Sequence, residues 1–178
     1  MEQVRFAILT ERLVLRELTE GDFTALYKVL GDPEVMAHYP SPFDEARVRD
    51  WIARNVQRYE TEGFGLWAVC LRDTGELIGD CGLTMQRIGG EIKPEIGYHI
   101  RRDKQRKGYA KEAACAVRDW AFANTPFQTL YSYMKYTNLP SMKTAMAYGC
   151  QPVAEYPEEA NGITKVFAIT KTQWRSGK

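Results

Sequence analysis

The sequence predicts one domain of mixed α/β class, and three observations support this. The chain has 178 residues, 44% of them hydrophobic, which suffices for one substantial core but not for two. Apolar residues follow helical spacing before Gly63, alternate as in strands from Leu66, and then switch between the two periods. No internal repeat, low-complexity tract or long linker divides the chain, so residues 1–178 are expected to form a single domain.

A strand and two helices are predicted in the first third of the chain. The segment 12–18 alternates well enough for an early strand. Thr19 and Asp22 have the spacing of a capping box in front of a first helix. Ser41-Pro42 predicts the start of a second helix, because proline suits a first helical turn. The apolar face of this second helix is expected to hold five residues, Val48, Trp51, Ile52, Val56 and Tyr59.

A hairpin and a further strand are predicted in the middle of the chain. The segments "LWAVCLR" and "ELIGDCGLTMQ" flank a turn at residues 73–75 and should pair with each other. Gly79 and Gly82 mark a bulge or a close approach of two backbones. The next segment, "EIGYHIR", alternates so that its ionisable residues Glu95 and His99 share one face.

The last third predicts two helices and two strands. The first of these helices begins at about Tyr109 and has a thin apolar side, which lets a helix lie close to a sheet. That side consists of small or β-branched residues, Ala110, Ala113, Ala114, Val117 and Ala121. The segments "TLYSYMKY", "PSMKTAMAY" and "KVFAIT" then predict a strand, a short helix that ends at Gly149, and a last strand.

The balance of charges excludes several classes of partner. Lys and Arg number 24 against 23 Asp and Glu, for a net charge of +1, so no nucleic-acid or polyanion binder is expected and any anion site must be local. The amino terminus is charged and has no long apolar block, which argues against a signal peptide. No run is long enough to span a membrane. A cytoplasmic protein without a membrane partner is therefore expected.

The cysteines and histidines do not suggest a metal site. Four cysteines lie far apart without a CxxC pair, and we expect them to be reduced and buried: Cys70, Cys81, Cys115 and Cys150. The only histidines are His38 and His99, which excludes an HExxH zinc site. No metal is therefore expected.

The loop "RRDKQRKG" has the features of an anion site. It joins a strand that ends near Arg101 to a helix that begins at about Tyr109, whose first amide groups have no partner inside the helix. Gly108 lets the backbone approach a ligand, and the amides from Arg106 to Ala110 can converge on phosphate oxygens. The alternative at this point is a solvated basic loop before an ordinary helix.

The loop also matches a family signature. The residues in question are Gln105-Arg106-Lys107-Gly108-Tyr109-Ala110, which fit the pattern Gln/Arg-x-x-Gly-x-Gly/Ala. This signature, together with "TERLVLREL", "GELIGDCGL", "EIGYHI" and Asn138-Leu-Pro-Ser141, resembles the GNAT superfamily of acyl-CoA-dependent N-acetyltransferases. The resemblance extends from residue 10 to about residue 170 and is similar in particular to the ribosomal-protein N-terminal acetyltransferase branch.

The resemblance implies a GNAT-type fold and a site for acetyl-CoA as co-substrate. It implies a mixed, mostly antiparallel sheet, flanked by helices and splayed at a central cleft between "EIGYHI" and "TLYSYM". In this picture the backbone of His99, Ile100 and Arg101 binds the pantetheine and acetyl group. Asn138 anchors the pantetheine and Ser141 lies near the sulfur. The pyrophosphate is held by the loop and the start of the helix, at Gln105, Arg106, Lys107, Gly108, Tyr109 and Ala110.

Three residues are candidates for the catalytic chemistry. Acetyl transfer from a thioester needs a neutral amine, a donor to the oxyanion and an exit for the thiolate. Glu95 is the first candidate for the base and His99 the second, and Ser141 can assist the thiolate unless it serves as a helix N-cap. Many relatives place a tyrosine acid four residues before Gly149, where this chain has Ala145.

The expected function is acetyl transfer from acetyl-CoA to a primary amine. A small molecule and a protein N-terminus both remain open as acceptors, as do monomer and homodimer. Because of Ala145, a non-catalytic module that binds acyl-CoA is the alternative. The acceptor pocket is expected among residues of the first two helices and the strand-linking loops, His38, Tyr39, Trp51, Trp67 and Met85.

Overall fold

The computed structural model describes residues 7–177, and these residues form one eight-stranded sheet with five α-helices. The strands are β1 (Ala7–Leu9), β2 (Leu13–Arg16), β3 (Leu66–Leu71), β4 (Leu77–Ile88), β5 (Glu91–Ile100), β6 (Thr129–Lys135), β7 (Gln151–Glu158) and β8 (Gly162–Thr170). The helices are α1 (Phe23–Leu30), α2 (Glu45–Thr61), α3 (Tyr109–Asn124), α4 (Leu139–Ala147) and α5 (Lys171–Ser176).

The sheet is antiparallel except at its centre. Its strand order is β1-β2-β3-β4-β5-β6-β8-β7, and the only parallel neighbours within the described residues are β5 and β6. Those two strands share a single register pair, Glu95 with Tyr131. Beyond that pair they separate, while β5 continues beside β4 as far as Ile100. The splayed cleft implied by the family resemblance is therefore confirmed.

The first two helices differ in how well their starts were predicted. Thr19 donates its amide to the Asp22 carboxylate at 2.8 Å, as expected of a capping box, and a short 3₁₀ helix leads into α1. The second helix begins at Glu45 rather than at Ser41-Pro42. Asp44 is its N-cap, and its carboxylate accepts the Arg47 amide at 2.8 Å. A cap that satisfies free amides determines the start more strongly than a nearby proline.

The buried face of α2 includes a polar residue that the apolar pattern missed. Val48 and Ile52 are buried as expected, but Val56 is 36% exposed and Asn55 is completely buried. The Asn55 side chain accepts the Leu66 amide at 2.9 Å and donates to the Trp51 carbonyl at 2.9 Å. It therefore joins α2 to the start of β3, where an apolar side chain would leave a buried amide without a partner.

Two glycines of β4 allow neighbouring backbones to come close. A Cβ on Gly79 would lie 2.0 Å from the His99 carbonyl oxygen, and one on Gly82 would lie 2.0 Å from that of Gly65. No side chain fits at such distances. The predicted close approach is confirmed at both positions.

The core lies on both faces of the sheet. On one face α3 lies against the central strands through its small side chains, and Ala113, Ala114 and Val117 are fully buried there. On the other face α1 and α2 bury Leu26, Leu30 and several neighbours. The thin apolar side predicted for α3 is the side that packs against the sheet.

Strand β7 was not predicted, and its sequence explains why. "QPVAEYPE" has two prolines and no alternation of apolar and polar residues. It lies at the sheet edge beside β8, where a missing amide donor costs little. β1 and α5 were also not predicted. Among the described helices, none has the length and apolar character required to cross a membrane.

Candidate active site

A cavity of about 290 Å³ opens where β5 and β6 separate. Its near wall comes from β5 and α2, and its far wall from β6, the start of α4 and the β7–β8 hairpin. Among its lining residues are Glu95, His99, Asn138 and Ser141, which are candidates from the sequence. The splay therefore brings these residues to one space, although more than forty positions separate the first from the last.

The loop after β5 presents free backbone amides. Arg106 has a positive φ of 60° and Gly108 one of 81°, and α3 begins immediately afterwards at Tyr109. In the part of the chain that the structure describes, the amides of Arg106, Lys107 and Gly108 donate to no carbonyl or side chain. Consecutive free amides at a helix start, beside exposed cationic side chains, suit a pyrophosphate.

An arginine near the amino terminus of the chain holds this loop in place. Arg12 donates from Nη1 to the Lys107 carbonyl at 2.9 Å and from Nε to the Glu112 carboxylate at 2.7 Å. Its guanidinium carbon lies 4.4 Å from the centre of the Tyr109 ring. Sequence reasoning did not single out Arg12, because its partners lie about a hundred residues away.

The backbone groups of β5 that face the open cleft differ from those expected. The Arg101 amide donates to the Ile78 carbonyl at 2.8 Å, within the antiparallel ladder. Because amides alternate between the two sides of a strand, the His99 amide also points to β4, and those of Tyr98 and Ile100 point to the open side. The expectation that His99 and Arg101 use their backbone for pantetheine is corrected accordingly, and that for the Ile100 amide stays a prediction.

The Arg101 and Gln105 side chains serve the local structure of the loop. Arg101 donates to Asp103 at 2.6 Å and to Glu76 at 2.7 Å, so its charge is already paired. Gln105 donates from Nε2 to the Ile100 carbonyl at 2.9 Å, which fixes the path of the chain as it leaves β5. Both side chains are therefore engaged by partners within the protein.

Glu95 lies at the point where the two strands part. The absence of a side chain at Gly97 gives its carboxylate room, since a Cβ there would lie 3.2 Å from Glu95 Oε2. Thr84 is 3.4 Å from the same oxygen and donates weakly to it. Burial raises the pKa of Glu95 to about 7, although the positive charge of His99 and the Thr84 hydrogen bond act against the shift. Such a carboxylate is suited to general-base catalysis near neutral pH.

His99 lies on the same strand face and is 8% exposed. Its Nδ1 is 2.7 Å from Asp80 Oδ1, and its Nε2 is 2.8 Å from the Tyr39 hydroxyl. Burial by itself lowers the pKa of His99, but the charge and hydrogen bond of Asp80 and the charge of Glu95 outweigh it and raise that pKa above its ordinary value. The sequence predicted the shared face with Glu95, but it gave no sign of Asp80 or Tyr39.

Ser141 and Tyr98 meet at the start of α4. Asn138 is the N-cap of this helix, and its Oδ1 accepts the Ser141 amide at 3.2 Å, so the N-cap role considered for Ser141 is wrong. The Tyr98 hydroxyl donates to the Ser141 carbonyl at 2.8 Å and is 3.1 Å from Ser141 Oγ. Because the Tyr98 hydroxyl proton goes to that carbonyl, Ser141 Oγ is the donor and the Tyr98 oxygen the acceptor in the 3.1 Å contact. Sequence reasoning missed Tyr98, which alternation placed opposite Glu95 and His99.

A family model for the acetyltransferase (GNAT) domain matches residues 12–151. This chain belongs to the GNAT acetyltransferase family. Among curated relatives, protein YkkB of Bacillus subtilis is 32% identical over 143 residues, covering 80% of this chain and 83% of that protein. The uncharacterized N-acetyltransferase p20 of Bacillus licheniformis is 32% identical over 141 residues, covering 76% of this chain and 77% of that protein.

Solved GNAT structures share the fold. An acetyltransferase from Agrobacterium tumefaciens superposes with a TM-score of 0.80 at 28% identity, covering 96% of this chain and 99% of the other. A ribosomal α-N-protein acetyltransferase, RimL, in complex with coenzyme A, superposes with a TM-score of 0.78 at 14% identity, covering 93% and 98%. The protein is an acetyl-CoA-dependent acetyltransferase.

The acceptor side of this GNAT cavity was only partly predicted. His38, Tyr39 and Trp51 line it as expected. Trp67 does not, because it is 1% exposed and packs against Trp120 with ring centres 5.0 Å apart. Met85 packs against the core instead. Three residues of the far wall were missed. Glu158 and Asn161 belong to the unpredicted β7–β8 hairpin, whereas Tyr133 lies on the predicted strand β6 but was not singled out.

Three further findings bear on the chemistry of this GNAT site. Ala145 is completely buried, so no proton donor occupies the position where many relatives have a tyrosine. All four cysteines are free thiols, three of them buried and Cys115 half-buried. Residues 7–177 contain no group of three or more His, Cys, Asp or Glu placed to hold a metal ion.

Proposed function

We propose that the protein transfers the acetyl group of acetyl-CoA directly to a primary amine bound in the cavity. The observation that carries the proposal is the position of Glu95, a carboxylate with a pKa raised to about 7, at the point where β5 leaves β6. The same strand leads directly into the loop with free amides. Thioester and amine can therefore meet beside Glu95.

Residues along β5 and the loop fit coenzyme A. In this proposal the amides from Arg106 to Ala110 hold the pyrophosphate, with Lys107 adding charge. The free amides of Tyr98 and Ile100 bind pantetheine in the manner of an added strand. Asn138 anchors the pantetheine from the opposite wall, and acetyl-CoA supplies the activated acyl group.

The chemical roles follow from the positions of three polar groups. Glu95 removes a proton from the ammonium form of the substrate. An α-amine that titrates near 8 needs little help at pH 7, whereas a lysine-like amine near 10.4 needs about 4 to 5 kcal/mol. The Ser141 hydroxyl, which donates to the Tyr98 oxygen at 3.1 Å, turns to give its proton to the departing thiolate. These two hydroxyls occupy the exit side that Ala145 leaves without a donor, which favours turnover over a non-catalytic module.

The acceptor is a small amine or a narrow chain end such as a peptide N-terminus. A cavity of about 290 Å³ is at the lower end of the volumes usual for ligand sites, so it takes a small group rather than a folded surface. Some structural neighbours at low identity are called ribosomal-protein acetyltransferases, among them one from Vibrio cholerae. A protein N-terminus is therefore tested alongside amino acids and polyamines.

The first experiment is thermal melting with acetyl-CoA, CoA and ATP in parallel. Ligands that bind the native state raise its melting temperature, and about 2.7 kcal/mol is gained at a hundredfold excess over Kd. We expect a rise with both CoA forms and none with ATP. Release of CoA thiol is then followed over a panel of free amines and peptides. No rise at millimolar CoA would refute the proposal, and a rise without turnover on any amine would leave only binding.

A further inference from the structure

Three hydrogen-bonded side chains connect the sheet interior to the cavity wall. Asp80 on β4 is completely buried and lies 2.7 Å from Nδ1 of His99 on β5. His99 Nε2 is 2.8 Å from the hydroxyl of Tyr39, which comes from the loop between α1 and α2 and lines the cavity. A buried carboxylate is thus linked to the acceptor space through one imidazole and one phenol.

The donors around Asp80 determine the direction of these hydrogen bonds. Trp51 donates from Nε1 to Asp80 Oδ2 at 2.9 Å, while His99 contacts the other oxygen. An ionised carboxylate accepts both, so His99 carries its proton on Nδ1. Asp80 and Glu95 raise the pKa of His99, so the relay operates at a pH above that pKa, where the imidazole is neutral and Nε2 has a lone pair that accepts the Tyr39 hydroxyl proton.

The Tyr39 oxygen keeps lone pairs for a ligand. Among the described residues, its hydroxyl has no hydrogen-bond partner other than His99. The other titratable side chains that line the same cavity are His38, Arg58, Glu95, Tyr98, Tyr133, Lys135 and Glu158. None of these is hydrogen-bonded to Tyr39 or His99. The hydrogen bonds that join Asp80, His99 and Tyr39 are therefore separate from Glu95.

We propose that Tyr39 is a further catalytic residue, which accepts a proton from the attacking amine while passing its own proton to His99. Asp80 is a positioning residue in this scheme, because it acts only through the imidazole. The inference rests on the proposed function and adds a second proton acceptor to it. It also explains why one cavity contains both Glu95 and a separate His–Asp pair.

Two protons leave the substrate ammonium during the reaction, and the relay supplies the acceptor for the second. A substrate ammonium loses one proton to Glu95, and its nitrogen then attacks the thioester carbonyl carbon. The resulting positively charged nitrogen loses a second proton. That N–H bond breaks as a new O–H bond forms on Tyr39, and the former Tyr39 O–H breaks as Nε2–H forms on His99. The C–S bond breaks, and the thiolate takes a proton from Ser141, which recovers it from solvent.

The surroundings favour this relay over a free phenolate. Desolvation of the hydroxyl and the charges of Glu95 and Asp80 raise the pKa of Tyr39 well above its ordinary value. Tyr39 therefore releases its proton only as it receives another. The imidazolium that forms is stabilised by the Asp80 carboxylate at 2.7 Å.

The test compares Tyr39→Phe, His99→Gln and the double variant. Each single variant should lose about 100-fold in kcat, and the double variant should lose no more, because both changes interrupt one relay. KM for acetyl-CoA should stay at the wild-type value. Tyr27→Phe, a tyrosine on the α1 surface, is the matched control and should behave as wild type. Imidazole ¹⁵N spectra of the wild type, recorded at a pH above the raised pKa of His99, should show the neutral imidazole with its proton on Nδ1.

Two results would overturn the relay and can be told apart from a failure of the proposed function. If the wild type releases CoA thiol while Tyr39→Phe keeps its kcat within about threefold, Tyr39 takes no proton. If the spectra of the neutral imidazole show its proton on Nε2, the hydrogen bond between His99 and Tyr39 runs in the opposite direction, and Tyr39 cannot pass its proton to His99. A wild type that binds CoA but acetylates no amine refutes the proposed function, and the relay with it.

Discussion

The burial of Glu95 lowers the stability of the folded protein but gives the site a base that can act near neutral pH. Its carboxylate lies in a half-buried cleft with one weak hydrogen bond from Thr84, so ionisation is disfavoured. Burial raises its pKa to about 7, a range in which a base is both available and strong enough to act. The space above Gly97 is what admits the carboxylate at this point. A group placed in this way is expected to affect rate and stability in opposite directions.

Glu95→Gln should reduce kcat by about 100-fold at saturating amine. In the wild type the base is active only when ionised, so kcat should rise as the pH increases through about 7. The glutamine variant should lack that rise while binding acetyl-CoA with unchanged affinity. The measurement is kcat from about pH 6 to about pH 9, with Kd from calorimetry. Parallel pH profiles for the two proteins would exclude Glu95 as the base.

The same substitution should stabilise the protein at alkaline pH. The folded-state pKa of about 7 exceeds the ordinary value of 4.5, so the folded protein retains a proton that the unfolded chain releases in this range. Stability therefore falls as the pH rises from about 4.5 to 7, and the Glu95→Gln variant should not show this fall. After allowance for solvent screening we expect a gain of about 1 kcal/mol at about pH 8 and almost none at about pH 4.

The control for this effect is Glu60→Gln, which changes an exposed glutamate of α2. It should alter the free energy of unfolding by less than about 0.5 kcal/mol at either pH. An equal gain in both variants would attribute the effect to net charge rather than to the cleft.

At the scale of elements, the loop and α3 act as one unit. Gly108 adopts a left-handed conformation that ends the loop and begins the helix. Arg12 and Glu112 connect this junction to β2, so the free amides are held in fixed directions. The small side chains of α3 let the helix pack closely on the sheet. Local sequence thus forms the loop with free amides, and a distant arginine holds that loop in place.

Gly108→Ala should weaken coenzyme A binding about tenfold or more. The added Cβ would lie 3.3 Å from Arg12 Nη2 and would strain a φ of 81°. Gly75→Ala is the matched control, since Gly75 has a φ of 73° in open space in the β3–β4 turn. Both variants should lose about 1 to 2 kcal/mol of stability from backbone strain. Calorimetry with CoA separates them, and equal affinities would mean that this loop does not hold the pyrophosphate.

At the scale of the whole molecule, the cleft depends on where the two halves of the sheet begin to separate. Ser132 on β6 donates to the Ile96 carbonyl of β5 at 2.7 Å, one residue beyond the last register pair. The buried hydroxyl of Tyr148, after α4, is 2.6 Å from Ser132 Oγ and donates to it. These bonds join β5, β6 and the end of α4 at the base of the cleft.

Ser132→Ala should destabilise the protein by about 2 kcal/mol, because the Ile96 carbonyl and the Tyr148 hydroxyl both lose a buried partner. Tyr148→Phe alone should cost about 1 kcal/mol or less, since Ser132 keeps its bond to Ile96. The double variant should cost less than the sum, because no Tyr148 hydroxyl is then left unsatisfied. Urea unfolding gives all three values, and strict additivity would show that the two hydroxyls are not coupled.

The sequence alone determined the parts of this protein that depend on neighbours in the chain. The period of "EIGYHIR" placed Glu95 and His99 on one face, and Gly108 with the residues around it fixed a loop with free amides before a thin-sided helix. Such features follow from φ, ψ and side-chain alternation over a few residues, so they can be predicted without knowledge of the fold. The same local reasoning placed the start of α2 too early, because the Asp44 cap a few residues on competed with the proline.

Only the tertiary structure decided which residues complete the site. Tyr39 lies 60 positions from His99, Asp80 lies 19 positions from it, and Arg12 lies 95 from Lys107. The side of β5 whose amides face the open cleft likewise depends on the ladder with β4, which periodicity cannot reveal. These contacts come from strand pairing and helix packing across the whole chain. The sequence does not show which polar residue has a distant partner, and for that reason the hydrogen bonds that join Asp80, His99 and Tyr39 became visible only in the fold.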